Sequence, residues 1–191
     1  MVAAASGAVG SAVGQIARIK GARAIGIAGG KDKCDYVKRE FGFDDCIDHR
    51  DPDLAAKLKQ ACPKGIDVYF ENVGGAVFEA VFPLLNTFAR IPVCGLIAQY
   101  NDTQTAAPKW AGAMMRNVLT KRLNIRGFIV SDFAARHGDF LKDMSGWVRD
   151  GQIKYKEFVT EGLENAPQAF MGLLKGANFG KQLVRVGPDR V

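Results

Sequence analysis

The sequence is poor in the residues that build metal sites and disulfide frameworks. It contains 4 cysteines and 2 histidines, and no two cysteines form a C-x-x-C pair, so we predict neither a zinc site nor a dithiol redox site. Scattered single cysteines are typical of proteins from a reducing compartment, which favours a cytoplasmic location. The four residues concerned are Cys34, Cys46, Cys62 and Cys94.

Long apolar runs and clustered charge are also missing. No stretch reaches the roughly 18 apolar residues of a membrane helix, and no basic-then-apolar leader follows Met1, so we expect no membrane span and no secretory signal. Hydrophobic residues make up 48% and charged residues 24%, which excludes intrinsic disorder. The net charge of +6 is dispersed, which favours an anionic small molecule over nucleic acid as the partner.

Short apolar segments alternate with helical segments through the first two thirds of the chain. Apolar strands joined by helices predict an α/β fold with a doubly wound, parallel, six-stranded Rossmann sheet covered on both faces. The predicted strands are residues 2–5, 23–28, 45–48, 66–71, 88–96 and 123–130. The predicted helices after the first turn are residues 32–41, 52–62, 75–85 and 110–121.

The pattern changes after residue 131. Residues 132–150 predict one long amphipathic helix, and a small α+β segment with strands at 155–160 and 182–186 around a helix at 163–175 follows. We therefore divide the chain into a domain of residues 1–150 and a C-terminal segment of residues 151–191.

A glycine turn follows the first strand and opens the first helix. Ala5, Gly7 and Gly10 have the spacing of the dinucleotide-binding fingerprint, with alanine at its first glycine. Gly7 would let the backbone approach a pyrophosphate, Gly10 would let the helix pack on the strand, and the helix N-terminus would supply free N–H groups. This position between strand and helix predicts a dinucleotide site.

The end of the second strand distinguishes the cofactors. NAD enzymes usually carry an acidic residue there for the ribose 2′-hydroxyl. This chain has Gly29 and Gly30 followed by Lys31, Asp32 and Lys33, so the lysines can pair with a 2′-phosphate and we predict NADP(H). Two alternatives stay open: the lysines form a solvated helical turn, or Asp32 is a displaced ribose acid. The missing strand-end acid also disfavours a methyltransferase.

Four blocks of sequence together resemble one enzyme family. They are similar to the cofactor-binding half of the zinc-independent medium-chain dehydrogenases/reductases, in the branch of prostaglandin reductase and bacterial curcumin reductase. They occur in the family's order and span nearly the whole chain. The blocks are residues 4–17, residues 71–75 (Glu-Asn-Val-Gly-Gly), residues 90–101 and residues 161–181.

The resemblance implies an NADPH-dependent oxidoreductase that reduces the C=C bond of α,β-unsaturated ketones or aldehydes. Hydride would pass to the β-carbon, the resulting enolate would be protonated, and no metal would take part. Tyr100 is the implied catalytic residue, as a hydrogen-bond donor to the developing enolate oxygen or as an orienting group for the cofactor. A quinone reductase of the same superfamily is an alternative.

The resemblance also implies a set of cofactor contacts. Lys33 would contact the 2′-phosphate, and Asn178 would reach the cofactor from the C-terminal segment. Many relatives have tyrosine where this chain has His49, which puts the contribution of that position in doubt. The implied contacts are Gly7, Ala8, Val9, Gly10, Lys33, His49, Asn72, Cys94, Gly95, Leu96, Ile97, Ala98, Gln99, Tyr100, Phe128, Ile129, Val130 and Asn178.

Members of the family carry a separate catalytic domain before the first Rossmann strand, and this sequence begins within that strand. Residues 151–191 would normally pack on that catalytic domain. We therefore expect a cofactor half with an enone or quinone substrate, and a homodimer formed through the cofactor domain. The alternative is a nucleotide-binding or oligomerising module without turnover.

Overall fold

The computed structural model describes residues 1–101 and 111–188, and its strands and helices alternate along the chain. The strands are β1 (Ile25–Ala28), β2 (Asp45–Asp48), β3 (Ile66–Val68), β4 (Leu85–Val93), β5 (Asn124–Gly127), β6 (Glu157–Glu161) and β7 (Lys181–Arg185). The helices are α1 (Ala8–Ile19), α2 (Lys31–Arg39), α3 (Leu54–Ala61), α4 (Gly75–Val81), α5 (Ala111–Lys121), α6 (His137–Arg149) and α7 (Ala166–Leu174). Short 3-10 turns lie at Phe82–Leu84, Ile97–Gln99, Val130–Arg136 and Leu163–Asn165.

The central sheet is parallel and doubly wound, as predicted. β1 pairs with β2, and β3, β4 and β5 form the other part of the sheet. The first five residues join the two parts, because the Val2 amide donates to Ile25 and the Ala3 amide donates to Phe70. The order is therefore β2, β1, the N-terminal segment, β3, β4 and β5, and the Rossmann-like α/β class is confirmed.

The first predicted strand is shorter than residues 2–5. Only Val2 forms β-bridges, one to Gly26 and one to Phe70. Ala4 then adopts a left-handed φ of 51°, and its carbonyl accepts the Gly7 amide at 2.9 Å. This turn takes the chain out of the sheet and directs it into α1.

β4 begins at Leu85 rather than at Phe88 and ends at Val93 rather than at Leu96. A bulge at Phe88, whose φ is 64°, lets the strand pair earlier than its apolar pattern suggests. At the other end, the amides of the next two residues both donate to the Glu71 carbonyl, which turns the chain away from the sheet.

The predicted helices differ from the observed ones at their ends, and the largest difference is at 132–150. The continuous helix at 132–150 is wrong in its first part, because Phe133 has non-helical angles (φ −111°, ψ 16°) inside a 3-10 turn that precedes α6. Asp132 stabilises this turn by accepting the Ile129 amide at 3.0 Å. The helix predicted at 110–121 corresponds to α5, and Trp110 lies outside the described residues.

The core lies between the sheet and its covering helices. Burial of these side chains is the main force that holds α3 and α4 on one face of the sheet. Large side chains that are almost completely buried include Ile27, Leu58, Tyr69, Val81, Leu85 and Ile91. Among the described residues, no helix combines the length and the apolar composition needed to cross a membrane.

The C-terminal segment forms its own two-stranded parallel sheet from β6 and β7. A buried side chain joins it to the rest of the molecule, since the Gln15 amide group donates to the Lys154 carbonyl at 2.9 Å and accepts the Lys154 amide at 2.8 Å. Phe179 packs edge-on against Tyr36 of α2. The segment thereby contributes its residues 176–182 to the same edge of the molecule as the glycine turn.

Candidate functional site

A cavity of about 600 Å³ lies where the parallel strands end and the glycine turn begins. Ligands of open α/β sheets bind at this edge, outside the carboxyl ends of the strands. The cavity brings together most of the residues that the sequence predicts as cofactor contacts. Those on its wall are Gly7, Ala8, Val9, Gly10, Lys33, His49, Asn72, Cys94, Gly95, Ile97, Ala98, Tyr100 and Asn178.

The N-terminus of α1 faces this cavity without a side-chain cap. Gly7 is the residue before the helix and has no side chain that could accept from the first helical amides. These N–H groups have no partner within the helix, and they carry the positive end of its dipole. The turn is therefore chemically suited to an anion such as a pyrophosphate.

Gly10 sets how closely α1 approaches the first segment of the chain. A Cβ at this position would lie only 2.2 Å from the Ala4 carbonyl oxygen. A glycine is required for this packing, and the packing in turn fixes the position of the helix N-terminus at the cavity.

Asp48 fixes a second turn, which lies at the end of β1. One oxygen of this carboxylate accepts the Gly30 amide at 2.8 Å and the Arg50 amide at 2.9 Å. Burial alone raises the pKa of Asp48, but these two N–H donors outweigh it and lower the pKa below its usual range. Asp48 is thus an ionised structural group, and one of its oxygens holds the backbone of this turn.

Three basic side chains line the cavity beside that turn: Lys33, His49 and Arg50. A Cβ at Gly29 would lie 2.8 Å from Nε2 of His49 and 3.4 Å from two guanidinium nitrogens of Arg50, so the glycine leaves room for both. Lys33 donates from Nζ to the carbonyls of Gly176 and Asn178 at 2.7 and 2.6 Å.

The cations at this end of the cavity disfavour further positive charge. Burial lowers the pKa of Lys33, and the nearby Arg50 lowers it further. Desolvation likewise lowers the pKa of His49, with Asp48 opposing and Arg50 adding to the shift. A bound anion would reverse these effects, so this part of the wall, which we call the cationic wall, suits a phosphate.

The opposite wall of the cavity is formed by loops that follow β3 and β4. Asn72 donates from its side chain to the Ala3 carbonyl at 2.9 Å, so its amide joins this wall to the first segment of the chain. Its own carbonyl accepts the Ile97 amide at 3.3 Å. Cys94 is exposed, and desolvation raises the pKa of its thiol.

Tyr100 lies on the same wall with its hydroxyl folded back over the loop. The hydroxyl oxygen accepts the Leu96 amide at 3.3 Å, and the side chain is 62% exposed. Because the oxygen serves only as an acceptor in this bond, its own proton remains available for donation.

Five predicted contacts do not line the cavity. Leu96 and Gln99 instead lie beside Gly74, with their side-chain atoms 3.2 and 2.9 Å from its potential Cβ. Phe128 packs against the rings of Phe70 and Phe133. The last two, Ile129 and Val130, are exposed, and Val130 borders a separate cavity of about 480 Å³.

Several residues that line the cavity were not predicted from the sequence. Arg50 follows His49 directly after β2, and that adjacency was the available signal. Lys175 and Lys181 reach the wall from the C-terminal segment, which no local motif indicated. Asp32, the predicted alternative ribose acid, does not line the cavity, and Lys31 pairs with Asp35 on the exposed face of α2.

This parallel sheet, with an uncapped helix at a glycine turn, has the Rossmann type of fold. Residues 8–146 match the family model described as zinc-binding dehydrogenase, and the chain belongs to that family.

The relatives confirm the predicted resemblance. The chain is 53% identical over 191 residues to the NADPH-dependent curcumin reductase of Escherichia coli (strain K12), which covers 99% of this chain and 55% of that protein. It is 44% identical over 183 residues to prostaglandin reductase 1 of Oryctolagus cuniculus, covering 95% of this chain and 51% of that protein. The chain therefore spans about half the length of the curated relatives it matches.

A solved structure gives the same result. The fold matches the crystal structure of CurA in complex with NADPH from Vibrio vulnificus with a TM-score of 0.94 and 54% identity. The match covers 98% of this chain and 56% of that one.

The family description includes zinc, and the donor set of the described residues does not fit it. Within residues 1–101 and 111–188, no three His, Cys, Asp or Glu side chains are grouped so that they could hold a metal ion. We therefore derive no step that uses zinc on these residues.

Proposed function

We propose that the cavity binds NADPH, with the pyrophosphate at the N-terminus of α1 and the adenosine 2′-phosphate at the cationic wall. The observation that carries this proposal is the presence of Lys33, His49 and Arg50 in the same cavity as the glycine turn. An NADH site would instead carry an acidic residue at the end of β1 for the ribose, and this chain has Gly29 and Gly30 there. The curcumin reductase relative is itself described as NADPH-dependent.

The nicotinamide half of NADPH would then lie along the loops after β3 and β4. Asn72, Cys94, Gly95, Ile97 and Ala98 would form this part of the wall. The other predicted contacts would have to move in order to reach the cofactor, because they do not line the cavity. They are Leu96, Gln99, Phe128, Ile129 and Val130.

The chain would supply the cofactor half of a reductase that acts on α,β-unsaturated ketones and aldehydes. When bound, NADPH would supply a hydride for the β-carbon of such a substrate. Tyr100 would hold the substrate's carbonyl oxygen by donating its hydroxyl proton to a hydrogen bond, which stabilises the negative charge that develops there. Two relatives support this substrate class, since one is a curcumin reductase and the other is a 2-alkenal reductase.

Deuterium transfer tests this assignment. The chain would be incubated with NADPH carrying deuterium at the transferring position of C4 and with a simple enone, and the product analysed by mass spectrometry. We expect little or no saturated ketone labelled at the β-carbon from this chain alone, because the chain spans about half the length of its relatives. NADPH binding without labelled product would identify a module without turnover, and reduction of a quinone alone would favour the quinone reductase.

We also propose the division of the chain at residue 150, a homodimer and a cytoplasmic location. β5 pairs with β4 on one side and leaves its other edge exposed, which supports a dimer through this strand. The four cysteines are free thiols, which supports a reducing compartment. A monomer in light scattering at high protein concentration would contradict the dimer.

A further inference from the structure

Glu71 is a buried acid that connects the loops after β3 and β4, which form the wall opposite the cationic wall. It follows β3 and is 1% exposed. Its Oε1 accepts the Val73 amide at 2.6 Å and the Gly74 amide at 2.9 Å. The same oxygen therefore closes the turn that carries Asn72 past the cavity.

The backbone of Glu71 holds the second loop. Its carbonyl accepts the Cys94 amide at 2.9 Å and the Gly95 amide at 3.2 Å. The adjoining turn continues this connection, since the Val73 carbonyl accepts the Ala98 amide at 3.0 Å. One residue thus fixes both loops that face the proposed nicotinamide position.

Burying the Glu71 carboxylate lowers the stability of the fold compared with burying an apolar side chain at the same position. Oε2 of Glu71 and the hydroxyl of Tyr69 are both buried without a hydrogen bond of ordinary geometry in the described part of the chain, and burial together with the neighbouring Glu71 raises the pKa of Tyr69. Burial of such incompletely paired polar atoms destabilises the folded state. A methionine of similar length would avoid this cost but could not hold the two amides.

We propose that Glu71 is a positioning residue that shapes the nicotinamide subsite without contacting the adenosine subsite. The proposal rests on the NADPH site proposed above. Lys33 and Arg50 would bind the other end of the cofactor, and their hydrogen bonds go to Gly176, Asn178 and Asp48 rather than to Glu71. Loss of Glu71 should therefore weaken binding of the whole cofactor and spare binding of a fragment that has only the adenosine half.

Calorimetry with NADPH and with 2′,5′-ADP, which lacks the nicotinamide half, tests the proposal. We expect Glu71→Met to weaken NADPH binding about tenfold, which corresponds to the lower end of the range for hydrogen bonds to a charged group. Binding of 2′,5′-ADP should change less than about twofold. Glu71→Gln retains an acceptor oxygen and should restore NADPH binding.

Glu79→Gln is the matched control, because Glu79 is an exposed acid on α4. It should leave both ligands unaffected. Equal weakening of both ligands in Glu71→Met, or no weakening of NADPH, would overturn the proposal. Failure of the unaltered protein to bind either ligand would instead overturn the NADPH site itself.

Hydrogen exchange on the unaltered protein keeps the proposal testable if Glu71→Met does not fold. The Val73 and Gly74 amides should be protected, and NADPH should protect them further while 2′,5′-ADP does not. Rapid exchange of both amides, or equal protection by the two ligands, would overturn the positioning role.

Discussion

Arg50→Ala is the change that most specifically probes how the cavity distinguishes NADPH from NADH. The Arg50 guanidinium lines the cavity next to the Gly29–Gly30 turn, where two of its nitrogens lie 3.4 Å from the potential Cβ of Gly29. The bond to Asp48 comes from the backbone amide of Arg50, so the substitution leaves that contact of the turn in place.

The magnitude follows from the type of interaction that is lost. A hydrogen bond to a charged group contributes about 1.5–3 kcal/mol, and solvent exposure of Arg50 favours the lower value. We therefore expect NADPH binding to weaken about tenfold or somewhat more. NADH lacks the 2′-phosphate, so its dissociation constant should stay within about twofold.

The assay is calorimetric or fluorescence titration of both cofactors against the unaltered and variant proteins. Lys31→Ala is the matched control, because it removes the same charge from the neighbouring helix at a side chain that pairs with Asp35 and does not line the cavity. Equal weakening of NADPH by Lys31→Ala and Arg50→Ala, or equal weakening of both cofactors by Arg50→Ala, would refute the reasoning.

Three further predictions concern His49, Gly10 and Gln15. Desolvation, aided by Arg50, lowers the pKa of His49, and a bound phosphate would raise it, so NADPH affinity should increase as pH falls from about 8 to about 6.5. Titrations across this range should show no such increase for NADH or for His49→Gln, and an unchanged slope in the variant would contradict the role of His49. Gly10→Ala puts a Cβ 2.2 Å from the Ala4 oxygen and should destabilise the fold by about 1–3 kcal/mol. Gly112→Ala is the control and should not destabilise it, because nothing lies within 4 Å of a Cβ at that position. Thermal melting of both variants checks this. Gln15→Leu removes both bonds to Lys154, so limited proteolysis should cut the C-terminal segment sooner, and an unchanged cleavage rate would count against that connection.

The parts of the fold that depend on local pattern are predictable from the sequence. The glycine turn and the alternation of strands and helices specify the sheet because parallel strands need helical crossovers. Strand ends are less predictable, because the bulge at Phe88 and the turn at Ala4 depend on neighbouring segments rather than on the residues themselves.

The candidate site is predictable to the same extent. Gly7, Gly10 and Lys33 could be found because the fingerprint places them next to a strand end. Arg50 has only its adjacency to His49 as a signal, since its position depends on how β2 ends beside the turn after β1.

Within a loop, the sequence also does not show which of several consecutive residues face the cavity. The 3-10 turn at Ile97–Gln99 directs successive side chains differently, so Ile97 faces the cavity while Gln99 lies against Gly74.

A crystal structure of this chain with NADPH tests the central claim most directly. We predict the 2′-phosphate within hydrogen-bond distance of Lys33 and Arg50, and the pyrophosphate at the amides of Ala8 and Val9. A cofactor bound outside this cavity, or a 2′-phosphate directed away from both side chains, would contradict it.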